Sequence, residues 1–174
     1  QQTEPQKILT SNSEPKKNNY QLPRNTLEHI QKGMKLIEEG KFNTADIQFE
    51  KAAQISPNSA EVFALWGTAL RVQEKYKGAN LRFAKAMELS PDDAEIAFNW
   101  GVSRFREKAT DEAIKLFSQT VELSPSYFMG WYYLGKAYGQ KNNFDEEIKY
   151  LLKVTKLKPD FGWGHFDLAI ALSL

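Results

Sequence analysis

The chain has 174 residues, 41% of them hydrophobic, with 23 basic side chains against 22 acidic ones. That length and apolar content are enough to bury a continuous core, and a net charge of +1 lacks the basic footprint of a nucleic-acid binder. There is no cysteine, so no disulfide or thiolate metal site forms and the redox compartment is left open.

Residues 1–25 are polar and carry three prolines, Pro5, Pro15 and Pro23. Their composition reads as a linker or solvated tail. Two spots within it are able to dock: Ile8-Leu9, and Tyr20 with Leu22-Pro23. Pro23 prevents the first helix of the chain from extending backwards into this tail, and Asn25 is the expected helix N-cap. The opening Gln1 suggests a removed leader or a trimmed N-terminus, since no secretory signal is present.

From there the sequence repeats itself. Gly33, Gly67, Gly101 and Gly135 are 34 positions apart, and so are Pro57, Pro91, Pro125 and Pro159. Between them fall Ala45, Ala79 and Ala113, then Phe49, Phe83 and Phe117. A fixed period of this length marks a helical-hairpin repeat. Glycine inside a helix costs about 1 kcal/mol against alanine. Close approach of the second helix, opposite the small Ala45, Ala79 or Ala113, is the expected compensation.

The joints share a logic. Ser56-Pro57-Asn58-Ser59, Ser90-Pro91-Asp92-Asp93 and Ser124-Pro125-Ser126 each end one helix and cap the next. Asn58 with Glu61, and Asp92 with Glu95, have capping-box spacing. The Asp92-Asp93 pair is accounted for by capping and the helix dipole rather than by catalysis. In the first unit His29 and Lys32 stand where later units carry Phe63 and Trp66, as suits a terminal cap. The fourth unit breaks the pattern: Glu147 takes the small position and Leu151 replaces phenylalanine. A buried carboxylate is expensive, so this hairpin is expected to splay or to pair Glu147 with a lysine. The last stretch, residues 162–174, reads as a first helix without its partner. Leu168, Ala171, Leu172 and Leu174 then form an uncovered apolar stripe, which calls for either further chain or a partner.

The pattern resembles the tetratricopeptide repeat family: Trp131, Leu134, Gly135 and Tyr138 match the first half of its signature, and Ala79, Phe83 and Pro91 the second. The resemblance implies an all-α, right-handed α-solenoid. Its repeats are expected at 26–59, 60–93, 94–127 and 128–161, with one further helix at 162–174. It also implies a concave groove lined by the first helix of each repeat. The groove positions in the N-terminal repeats are Ile30, Met34, Ala64, Thr68 and Arg71. In the third repeat they are Glu95, Phe98, Asn99, Val102, Phe105 and Arg106. In the fourth they are Met129, Tyr132, Tyr133, Lys136, Gly139 and Gln140. The last helix adds Trp163, Phe166, Asp167 and Ile170.

Aromatic side chains gather in the C-terminal half of this set. They either anchor a partner or fill space between neighbouring helices. Arg71, Arg106 and Lys136 lie among them, and Asn99 offers an amide to a peptide backbone. The surface suits an extended or helical segment with apolar side chains and some acidic character, anchored on Tyr132 or Trp163. The clamp with which chaperone-binding members hold a terminal carboxylate is absent. Ile30, Met34, Leu65, Glu95 and Asn99 occupy its positions in one frame, and Ala64, Thr68, Asn99, Met129 and Tyr133 in the next.

No nucleophile–base set, phosphate loop or metal-spaced histidine pair is found; His29 and His165 lie four repeats apart. The expectation is a non-catalytic protein-interaction scaffold with no cofactor, no metal, no nucleic-acid partner and no membrane span. The alternatives are a head-to-tail self-assembling protein, joined through the C-terminal helix, and the regulatory region of a longer enzyme. The compartment stays open between bacterial cytoplasm and periplasm.

Overall fold

A computed structural model describes residues 22–173 of the chain. Among them are nine α-helices and no strand: α1 (Arg24–Glu38), α2 (Phe42–Ile55), α3 (Ala60–Val72), α4 (Tyr76–Leu89), α5 (Ala94–Arg106), α6 (Thr110–Leu123), α7 (Phe128–Gln140), α8 (Phe144–Leu157) and α9 (Gly162–Ala171). Ile8, Leu9, Tyr20 and Leu174 lie outside the described residues. Leu22 packs against the N-terminal core cluster.

Short connections make neighbouring helices antiparallel, and they pair as α1–α2, α3–α4, α5–α6 and α7–α8, with α9 resting on α8. The odd-numbered helices α1, α3, α5 and α7 also touch one another in series, while the even-numbered ones meet through them. The odd helices therefore line the inner side of a curved stack, an α-solenoid.

The turn inside each hairpin is closed by one device. The residue at Gly40, Glu74, Lys108 or Asn142 has a positive φ, between 58° and 71°. The next N–H reaches back to the preceding helix: Lys41 to the Leu36 carbonyl, Lys75 to Leu70, Ala109 to Arg104 and Asn143 to Tyr138. This satisfies helix-end carbonyls that would otherwise be orphaned. Only the first turn has the glycine that announces it.

Helix starts depart from the sequence reading. α1 begins at Arg24 with Pro23 in the cap position, and Asn25 Oδ1 accepts the N–H of Thr26 at 3.0 Å. The caps of α3 and α5 are Ser59 and Asp93, one residue later than expected. Ser59 Oγ accepts from the Val62 N–H, and Asp93 Oδ1 accepts from Glu95 and Ile96. Glu61 and Glu95 then sit one place too early to complete a capping box. α7 has Tyr127 at its cap and no side-chain cap at all.

The glycines do allow close approach, but to a ring. A Cβ on Gly101 would stand 2.6 Å from Phe117 Cε1. Phe83 and Phe49 occupy the same space at Gly67 and Gly33. Phe49, Phe83 and Phe117 are fully buried. The alanines let the helices meet, and the phenylalanine fills the room each glycine leaves. The fourth hairpin is not splayed: α7 and α8 pack as closely as the other pairs. With Leu151 in place of phenylalanine, a Cβ on Gly135 would meet nothing nearer than 3.4 Å.

At the C-terminus the expected apolar stripe is largely covered. Ala171 is buried, and Leu168 packs against the core of the last two hairpins. Of the described members of the stripe, Leu172 is the exposed one.

Candidate interaction surface on the inner helices

Inner-face positions differ along the stack because each helix's neighbour differs. Phe98 on α5 is buried under Tyr133 of α7, at 5.5 Å between ring centroids, and under Tyr127, at 5.0 Å. Phe105 meets Tyr133 edge-on at 5.7 Å, and Phe117 rises from α6 to complete the group. Tyr132 lies against Tyr133 and, at 5.1 Å, Phe161. Edge-to-face pairs of this kind add to the burial they create. Phe98, Met129, Tyr132 and Tyr133 are thus interior residues, and Phe105 is partly buried among them.

Tyr127 and Phe161 complete this layer, and the sequence reading missed them. Both occupy the register of Ser59 and Asp93, the residue just before a first helix. In the N-terminal half that position caps the helix. In the C-terminal half it supplies a ring and leaves α7 and α9 without a side-chain cap. The 34-residue period held the signal, since polar residues change to aromatic ones at a single register. Burial, with Glu95 and Tyr133 nearby, pushes the Tyr127 phenol above its ordinary range.

α9 is the last of the described helices, and its outer side chains are exposed. Trp163 is 37% exposed, Phe166 53% and Ile170 45%. They fall at spacings of three and four on one face, with the two rings edge-on at 6.0 Å. The opposite face, with Gly164, Asp167 and Ala171, is buried.

Asp167 fixes that orientation. Tyr132 donates its hydroxyl hydrogen to Asp167 Oδ2 at 2.7 Å, and Lys136 Nζ reaches the same oxygen at 3.0 Å. Glu147 of α8 is buried beside this pair. Burial raises its carboxyl above the usual range; the charge of Lys136 opposes the shift and that of Asp167 adds to it. Lys136, expected free for a ligand, is engaged in holding α9. Asn99 is committed too: its amide donates to the Glu95 carbonyl at 3.0 Å. Gly139 lies under the Glu147 carboxyl group.

Towards the N-terminal side of the same face, Arg71 of α3 is half-buried, and its Nε has no hydrogen-bond partner among the described residues. Burial lowers the Arg71 guanidinium below its ordinary range, as does neighbouring Arg106, while the Tyr133 and Tyr76 phenols oppose the shift. Arg106 is exposed at the end of α5. Among the described residues no group of three His, Cys, Asp or Glu could hold a metal ion, and no helix is long and apolar enough to cross a membrane. His29 Nδ1 pairs with Gln48 Oε1 inside the first hairpin at 2.9 Å.

Two family models described as tetratricopeptide repeat match residues 65–128 and 130–161. No curated protein matches the chain. Among solved structures it is similar to MamA from Desulfovibrio magneticus RS-1, at 20% identity and a TM-score of 0.76, over 87% of this chain and 85% of that one. It is similar to pilF of Pseudomonas aeruginosa at 21% identity and a TM-score of 0.76, over 86% and 68%. A third similar structure is YrrB, described as a TPR protein with an unusual peptide-binding site, at 25% identity and a TM-score of 0.71, over 82% and 73%. The first two likenesses show the fold alone.

Proposed function

The chain belongs to the tetratricopeptide repeat family, and from that premise we propose that residues 26–174 act as a non-catalytic scaffold holding a peptide or helix of a partner protein along the inner helices. The family's general role is protein–protein interaction. The observation that carries the finer reading is the exposed Trp163–Phe166–Ile170 face of α9. Large aromatic side chains left open beside a fixed charged pair, Lys136–Asp167, are the usual makings of an interface anchor. The peptide-binding site named for YrrB supports the same direction.

The test is selection of binders from a library of random peptides, followed by hydrogen-exchange mapping of the best one. Protection concentrated on α9, α7 and α5 supports the reading. Protection confined to the outer helices α4, α6 and α8 moves the site elsewhere. A second copy of the chain is the competing occupant of the α9 face. Sedimentation that depends on concentration, and that Phe166→Glu abolishes, would assign the face to self-association instead.

A further inference from the structure

The repeat itself shows what covers an inner helix, and that deepens the reading above while resting on it. Phe98, Tyr132 and Phe166 stand 34 positions apart on α5, α7 and α9. Phe98 is covered from the next unit by two residues. Tyr127, just before α7, has its ring centroid 5.0 Å away, and Tyr133, within α7, lies at 5.5 Å. Tyr132 is covered by the same two registers one unit on. Phe161, just before α9, lies 5.1 Å from it, and Asp167 accepts its hydroxyl hydrogen at 2.7 Å. Each step thus uses one residue at the entrance of a helix and a second six positions later. Phe98 and Tyr132 are buried, whereas Phe166 is exposed.

A helix brings two such residues onto one ring. Six positions advance about 9 Å along a helix but about 20 Å along an extended chain. The chemistry of the second residue follows the helix beneath it. α5 carries Val102, buried in the same apolar cluster as Tyr133. α7 carries Lys136 at that register, and the second residue is then Asp167, which pairs with it at 3.0 Å. α9 carries Ile170, so the α5 solution applies, and a ring is called for rather than a carboxylate. The chain's own first inner helix does not present this pair: Asn25 and Gln31 occupy the two registers there, as Ser59 with Leu65 and Asp93 with Asn99 do on the next two. Tyr127 with Tyr133 is already engaged on α5. The occupant is therefore not the first helix of a second copy continuing the stack.

We propose that the Trp163–Phe166–Ile170 face of α9 receives a helix of a different protein, laid on α9 in the same direction as α7 on α5, with an aromatic residue just before its first turn and a second aromatic residue six positions later. The first ring packs edge-on against Phe166, as Tyr127 does against Phe98. The second reaches Phe166 and Ile170 together. The partner helix thus continues the inner row by one unit.

The experiment selects random peptides of about twenty residues, long enough for a helix of three to four turns and its entrance, on the full chain, with affinities measured by calorimetry. Binders are expected to carry two aromatic residues six apart and to gain helical circular dichroism when bound. Phe166→Ala in the protein, and truncation of the peptide's first ring to alanine, should each weaken binding roughly tenfold or more. The two together should cost little more than either alone. Ile170→Lys gives the sharper test: selection repeated on that variant should replace the second ring by Asp or Glu, as Lys136 is met by Asp167. The peptide-side change leaves the protein intact, so the site is tested even if a variant fails to fold. Binders that depend on Trp163 but lack rings at this spacing, or that bind without gaining helix, would overturn this inference and leave the scaffold reading standing. So would a second position that stays aromatic on Ile170→Lys. Finding no peptide that depends on Trp163 or Phe166 would overturn both.

Discussion

The third and fourth hairpins share the same frame and solve it in opposite ways. In α5–α6 the glycine, the alanine and the phenylalanine form a dry joint: Gly101 against the Phe117 ring, with Ala113 fully buried. In α7–α8 the alanine has become Glu147 and the ring has become Leu151. The joint stays closed, but it now contains a carboxylate whose charged form is disfavoured, next to Lys136 and Asp167. Where the third hairpin has a ring, the fourth sets a buried carboxylate beside the polar anchorage of α9. That anchorage points Trp163 and Phe166 outward. One hairpin closes on a buried ring, and the other on a buried carboxylate beside the charged pair that holds α9.

Several substitutions sharpen this contrast. The largest effect is expected from Phe117→Ala, which should destabilise the protein by about 3–5 kcal/mol, as for deletion of a buried ring, measured by urea unfolding. The glycines come next and should differ in sign. Gly101→Ala forces a methyl group into the Phe117 ring and should cost about 1–3 kcal/mol. Gly135→Ala meets only ordinary contacts and should be neutral or gain up to about 1 kcal/mol of helix propensity. Equal effects at the two sites would remove the distinction between the hairpins.

Glu147 tests the other half of the contrast. Its folded-state pKa is raised, chiefly by burial, so the stability it contributes is present below its unfolded pKa of about 4.3 and is lost as pH rises through the folded value. Glu147→Gln should therefore be more stable than the wild type near neutral pH, by about 0.5–2 kcal/mol. The gap should close as pH falls towards the unfolded pKa. A gap that instead widens in acid would mean that the ionised carboxylate is the favoured form. The smallest effect is expected at the turn: Lys108→Gly relieves a left-handed residue with φ of 64° and should raise stability by up to about 1 kcal/mol.

The period, the hairpins and the fully buried phenylalanines were legible in the sequence because identical residues recur every 34 positions. The caps were misplaced by one residue, since Asn58-Ser59 and Asp92-Asp93 each offer two adjacent candidates and only backbone geometry selects between them. The left-handed turns at Glu74, Lys108 and Asn142 were invisible because no glycine marks them. The surface was the hardest part. Phe98, Tyr133 and Phe166 belong to one class of inner position, yet Phe98 and Tyr133 lie within an aromatic layer completed by Tyr127 and Phe161, while Phe166 is exposed. Whether a ring is core or contact depended on what the next hairpin supplied, which single positions do not reveal.

The central claim is that α9 presents its rings to a partner while the upstream rings hold the stack together. The most direct test is calorimetry of a library-selected peptide on Trp163→Ala, alongside thermal unfolding of the same variant. The expected result is a loss of binding of about 2 kcal/mol or more with an unfolding midpoint close to that of the wild type. Unchanged affinity, or a fall in the midpoint like that of a buried-ring deletion, would contradict it.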